Sequence, residues 1–350
     1  MNFGREVLPY GVFSLGDGPR QIGVAVDDGV LDLTAELGAE WAVPTLNPFL
    51  ARGRDHWTAT RARVSELVDR PLLRDVTMHL PFDVADYVDF YASEQHATNL
   101  GKMFRPDGDA LLPNWKHLPV GYHGRAGTVV VSGTDIRRPH GLRGPGPTYG
   151  PSQKLDVEVE VGFVVGTPSE LGSPVSAADF EEHVFGIVLL NDWSARDIQA
   201  YEYVPLGPFL GKSFATSISP WVVPLEALDR VPAPVQDPPV ADYLQTEGDC
   251  GLDLELVLDL NGEVVSRPPF AGMYWTAPQM LAHLTANGAS VRTGDLFASG
   301  TVSGDAPDQR GSFIELNWNT TFLDDDDVVT ISATTASGRY LGEVTGRIVG

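Results

Sequence analysis

Asp89, His96, Glu158, Glu160 and Asp192 carry the most chemical information in this chain. Glu158 and Glu160 sit in the run Asp156-Val-Glu-Val-Glu-Val-Gly-Phe-Val-Val165, which alternates acidic and apolar residues before turning apolar. In a strand, residues i and i+2 leave the same face. Both carboxylates therefore point one way, and Val157, Val159 and Val161 point the other. Two such charges repel each other unless a cation lies between them or water solvates them. Oxygen-rich anionic pockets suit hard divalent ions such as Ca2+ or Mg2+. Taken alone, the pair fits a solvated acidic strand face at least as well.

Asp89-Phe-Tyr91-Ala-Ser-Glu-Gln-His96-Ala-Thr-Asn99 gathers an acid, a phenol, an imidazole and an amide. If the stretch is helical throughout, Asp89 and His96 lie two turns apart on one face. One could hold a metal while the other acts on water. A histidine in isolation is more often structural or solvated. Asn191-Asp192-Trp-Ser-Ala-Arg196-Asp-Ile-Gln199 follows an apolar strand, so Asp192 suits a pocket floor, with Arg196 and Gln199 as donors. Asp192 serves equally well as a helix N-cap. Gly207-Pro-Phe-Leu-Gly211-Lys212-Ser213 has three residues between its glycines where a phosphate loop needs four. Lys212 remains as a cation for the site, or an ordinary exposed lysine. There is no Gly-x-Ser-x-Gly nucleophile elbow. Ser299-Gly-Thr301-Val-Ser303-Gly304 is rich in hydroxyls and reads equally as a plain turn.

These residues need a scaffold, and the rest of the chain describes one. Its 350 residues allow one or two domains and a large core. The 37 glycines and 27 prolines favour turns over long helices. Strands are expected at 10–14, 21–26 and 30–33, with helical periodicity near 58–68. Further strands are expected at 128–132, 157–165, 185–190, 252–260 and 328–333, and helices at 177–183 and 277–287. Residues 141–150 read as a loop. The expected fold is α+β and mainly β, with an N-terminal unit over 1–80 and a site-bearing unit over 81–350.

A formal charge of −23 disfavours nucleic acid and anionic membranes as partners. No run approaches the roughly 20 apolar residues of a membrane span. Cys250 is the only cysteine, so no disulfide framework exists. With no secretory signal visible, a soluble cytoplasmic protein is expected.

The chain resembles the fumarylacetoacetate hydrolase family over almost its whole length. The resemblance runs through Leu8–Ser14, Asp89–Asn99, Pro113–Arg125, Asn191–Gln199, Tyr203–Ser213 and Ser299–Gly304. His-Ala-Thr-Asn and Pro-Leu-Gly-Pro-Phe-Leu-Gly-Lys-Ser are its most specific stretches. It implies an SH3-like N-terminal barrel, a C-terminal mixed β-roll and a homodimer. It implies Ca2+ or Mg2+ on Asp89, Glu158, Glu160 and Asp192, and His96 as base with Glu315 as its partner. Arg196, Gln199 and Lys212 would stabilise charge. Tyr91, Arg105, Tyr122, Tyr203 and Thr301 would bind a diketo acid. Ala215 departs from animal members, which carry Gly there.

The implied reaction is hydrolysis of the carbon–carbon bond of 4-fumarylacetoacetate to fumarate and acetoacetate, the last step of tyrosine and phenylalanine catabolism. Acylpyruvate hydrolases and oxaloacetate decarboxylases share the acidic ligands. His96 with Gln95 and Asn99 favours the first reading over these. A metal-stabilised binding protein without catalysis would be expected to lose the base.

Overall fold

The structure is a computed structural model and describes residues 2–350. Tyr10–Ser14, Gln21–Val26 and Gly29–Asp32 form an antiparallel meander. Its second turn places Asp27 at φ 49°, in the left-handed region that tight hairpins use. The meander does not end in a free edge. Tyr10–Ser14 pairs with Trp221–Pro224, which pairs with Val184–Asp192. From there the sheet runs through Val159–Val165, Leu296–Ala298 and Tyr87–Phe90 to Gly121–His123. The N-terminal strands and the strands that carry the acidic residues are thus hydrogen-bonded into one sheet. A separate five-stranded sheet contains Leu254–Leu260, Val328–Thr335 and Tyr340–Val349.

Val159–Val165 and Val184–Asp192 are buried along their whole lengths. Val157, Val159, Val161 and Phe163 enter one apolar cluster. Val164, Val188 and Leu190 enter another, shared with Tyr10, Phe49 and Trp57 of the N-terminal part. Full burial of one such aliphatic side chain contributes about 1.5–3 kcal/mol. These two strands therefore form a stiff core, and the polar ends of that core form the site.

Three expectations change in detail. The helix near Thr58 spans Arg54–Ser65 and buries Trp57, Thr60 and Val64, so Leu67 and Val68 lie past its end. The stretch from Asp89 to Asn99 is not one helix. Asp89 belongs to the strand Tyr87–Phe90, and His96 to the helix Glu94–Phe104. The break falls at Ser93, whose hydroxyl accepts the His96 amide proton at 3.2 Å and caps the helix. Residues 141–150 are not a plain loop. His140–Arg143 and Thr148–Pro151 pair as a hairpin, with the Gly-Pro-Gly-Pro run at its turn. A Cβ on Gly141 would come within 2.8 Å of Ile198, so glycine lets the hairpin press on the helix Arg196–Glu202.

Candidate active site

Asp89, Glu158, Glu160 and Asp192 each offer an oxygen lying within 4.8 Å of the others. Strand register makes this possible. Glu160 faces Leu190 across its antiparallel pair, two residues from Asp192. Asp89 stands beside Ala298, which in turn pairs with Gly162. All four side chains are buried, so the solvated-face reading of the Glu pair does not hold. Asp192 does not cap the helix Arg196–Glu202; its Oδ1 accepts from Thr216 at 2.7 Å and its Oδ2 from Tyr122 at 3.2 Å.

Both oxygens of Glu160 and Oδ1 of Asp89 are buried without any hydrogen-bond partner. Orphaned buried anions are costly. Burial, then Asp192 beside Asp89 and Asp89 beside Glu160, pushes both carboxyls well above the usual carboxylate range. The donor set is all oxygen, anionic and convergent. Those are the requirements of a hard divalent cation, and the residues fit one.

Two buried cations partly balance the cluster. Lys212 Nζ donates to Glu158 Oε2 and, at 3.0 Å, to Asp192 Oδ2. Arg196 Nη2 lies 2.8 Å from Glu158 Oε1. Burial alone would raise the Glu158 carboxyl, but Lys212 and Arg196 hold it below its ordinary range. Arg196 is heavily engaged: its Nε donates to Asp156 at 2.8 Å and its Nη1 to Gln199 Oε1 at 3.3 Å. That bond turns the Gln199 amide so that its nitrogen is left to donate elsewhere. Gly211 allows the close approach, since a Cβ there would meet the Gln199 backbone at 2.7 Å.

His96 and Glu315 form a buried pair, with Nδ1 2.7 Å from Oε2. Glu315 also accepts from Asn99 at 2.9 Å, Ser303 at 3.0 Å and Ser312 at 2.7 Å. Burial would raise its carboxyl, yet His96 and these hydrogen bonds hold it at about 2. A carboxylate facing Nδ1 fixes a proton there and leaves Nε2 as the lone-pair nitrogen. The Tyr91 ring packs edge-on against the imidazole, with centroids 5.2 Å apart.

A cavity of about 660 Å3 joins these groups. Asp89, Tyr91, His96, Tyr122, Glu158, Arg196, Gln199, Lys212 and Thr301 line it, with Phe104, Leu111, Trp115 and Leu206 forming an apolar side. Thr301 brings a buried hydroxyl that has no partner. Arg105 lines the cavity but spends its Nη2 on the Ala110 carbonyl at 2.6 Å. Tyr203 also lines it and is half exposed.

Family models described as "Fumarylacetoacetase N-terminal" and "Fumarylacetoacetate (FAA) hydrolase C-terminal" match residues 6–81 and 86–349. The chain belongs to the fumarylacetoacetate hydrolase family. It is 45% identical to the fumarylacetoacetase of Rattus norvegicus over 99% of this chain and 96% of that one. The solved fumarylacetoacetate hydrolase of Exiguobacterium antarcticum shares the fold, with a TM-score of 0.67 at 19% identity over 98% and 99% of the two chains. So does a maleylpyruvate hydrolase of Sphingobium solved with manganese(II) and pyruvate, at 0.59 and 17% over 98% and 99%.

Within this family member, several site-forming residues escape a reading of the sequence. Asp156 lies in the two-residue strand Leu155–Asp156, just before the acidic strand, and reads there as an ordinary boundary residue. Thr216, Ser303 and Ser312 each hold a carboxylate of the site, yet small hydroxyl residues are common in turns and carry little signal. The useful cue is proximity in sequence: Ser312 lies three residues before Glu315.

Proposed function

We propose that this chain hydrolyses 4-fumarylacetoacetate to fumarate and acetoacetate. The observation that carries the reading is that His96, backed by Glu315, lines the same cavity as Asp89 and Glu158 of the four-carboxylate cluster. With Nδ1–H donated to Glu315, His96 Nε2 takes a proton from water as the oxygen attacks the fumaryl carbonyl. The carbon–carbon bond then breaks, its electron pair leaves on the acetoacetate carbon, and that carbon recovers a proton. Lys212 and the Gln199 amide supply donors for negative charge that develops during the attack, the kind of electrostatic contribution that is often largest. Arg196 acts mainly on its neighbours, offsetting Glu158 and orienting Gln199. Tyr91, Arg105, Tyr122, Tyr203 and Thr301 provide the polar wall for the diketo acid.

Asp89, Glu158, Glu160 and Asp192 would hold Ca2+ or Mg2+, which when bound polarises the diketone and offsets charge on the leaving acetoacetate. We read the protein as a cytoplasmic enzyme of tyrosine and phenylalanine catabolism, with residues 1–80 as a supporting unit and 81–350 carrying the chemistry. Among the described residues no helix is long and apolar enough to cross a membrane. We also propose a homodimer. Leu206 at 96%, Tyr149 at 72% and Phe209 at 62% exposure are large apolar side chains that a second copy would cover.

Ultraviolet loss of fumarylacetoacetate with and without chelator tests the activity, run beside an acylpyruvate and oxaloacetate. Chelator-sensitive loss of the first substrate alone supports the reading. Preference for either of the others overturns it.

A further inference from the structure

Asp156 is fully buried and stands outside both the carboxylate cluster and the cavity wall. Its two oxygens nevertheless hold two site-bearing elements. Oδ1 accepts the Phe313 amide proton at 2.8 Å, and Oδ2 accepts that of Ile314 at 3.2 Å. These are the first two amides of the short helix Phe313–Leu316, which carries Glu315. The helix has no side-chain cap of its own at Ser312, so Asp156 satisfies donors that would otherwise be orphaned. Oδ2 also accepts Arg196 Nε at 2.8 Å. One carboxylate therefore ties the turn that presents Glu315 to the guanidinium that contacts Glu158 and Gln199.

We propose that Asp156 is a positioning residue that sets the distance between the His96–Glu315 pair and Arg196. The proposal rests on the reading of His96 as base. A buried side chain that touched only backbone would be a structural cap. A cap that also fixes Arg196 through its Nε proton couples Arg196, which lines the cavity, to the short helix that carries Glu315 behind His96. Small displacements there matter, because a misplacement of about 1 Å can lower turnover about 100-fold.

Asp156→Asn is the direct test. Asparagine has one acceptor oxygen where the carboxylate has two, and its amide nitrogen would face either Arg196 or the helix amides as a second donor. The expected result is a lowered melting temperature, because buried Arg196 loses its carboxylate partner, with unchanged Mn2+ affinity and kcat lowered about 10- to 100-fold. KM should change much less. The far-downfield ring-proton resonance of His96 bonded to Glu315 should be displaced or lost, and this reads the coupling without any substrate. Asp156→Glu should keep the ion pair with Arg196 and recover part of kcat.

If the resonance and kcat both stay as in the wild type, the proposal is wrong. If neither variant folds, Asp156 is a structural cap and the assignment falls. If the wild type does not hydrolyse fumarylacetoacetate, the proposed function fails, while the His96 resonance still decides the role of Asp156.

Discussion

His96 Nδ1 lies 2.7 Å from Glu315 Oε2, a contact between residues 219 positions apart in the chain. Asn99, one turn beyond His96 on the same helix, takes the other oxygen of that carboxylate. Glu315 is thereby gripped from one side by a single helix and from the other by Ser303 and Ser312. His96→Asn removes the base and leaves this cradle mostly in place. Turnover should fall about 10²–10⁴-fold, the usual worth of a positioned general base. Glu315→Gln should also lower turnover, and the two losses together should be less than additive because both act on one imidazole. Additive losses in steady-state kinetics would separate their roles.

The acidic strand is legible in the sequence because the alternation around Glu158 and Glu160 is local, although the strand itself begins at Val159, with Glu158 just before it. The same holds for the apolar strand ending at Asp192. What the sequence does not show is that the Glu pair is buried. Burial depends on the strands stacked to either side, from Tyr10–Ser14 to Tyr87–Phe90, and those neighbours come from distant parts of the chain. Asp89 and His96 illustrate the opposite error. They are close in sequence and do line one cavity, but a helix N-cap at Ser93 places them on different elements. Asp156 is hidden for a third reason: its partners Arg196, Phe313 and Ile314 are 40 to 158 residues away.

Glu315 makes stability depend on acid. Its carboxyl is held at about 2, below the unfolded value near 4.5. A depressed carboxyl contributes stability that is present above the unfolded value and is lost as pH falls through the folded one. The difference in melting temperature between wild type and Glu315→Gln should be largest near neutrality. It should narrow as pH drops from about 4.5 toward 2. A difference that does not vary over that range would show that Glu315 is not the group responsible.

Gly300 precedes Thr301 at φ +73°, and a Cβ there would collide with the Phe90 carbonyl oxygen. Gly300→Ala therefore combines backbone strain with a clash against the strand that carries Asp89. Destabilisation of about 1–3 kcal/mol or more is expected. Chemical denaturation measures it, and a loss under about 0.5 kcal/mol, typical of unconstrained surface sites, would mean the loop relaxes freely.

The proposed dimer has a simple check. Light scattering should give about twice the chain mass of 37.8 kDa. Leu206→Lys places a charge at one of the two most exposed large apolar side chains and should shift the mass toward one chain. A monomeric wild type at micromolar concentration would contradict the assembly.

Lys212 and a divalent ion offset the same negative charge, and this makes them partly interchangeable for stability. Lys212 reaches both Glu158 and Asp192, and all three are buried. Removing one member of such a pair costs about 3–5 kcal/mol, because the remaining charge is left uncompensated. Lys212→Met should therefore melt well below the wild type in chelator. An ion present at about a hundred times its dissociation constant adds about 2.7 kcal/mol to whichever protein binds it. In the variant no ammonium group repels the incoming cation, so the ion should bind more tightly and stabilise more. Added Mg2+ should then raise the melting temperature of Lys212→Met more than that of the wild type. Turnover should not recover with it, since the ion restores charge balance but not the ammonium protons that face the cavity. Equal shifts in the two proteins would show that Lys212 and the ion do not share a site. Recovery of turnover would show instead that Lys212 serves only to balance charge.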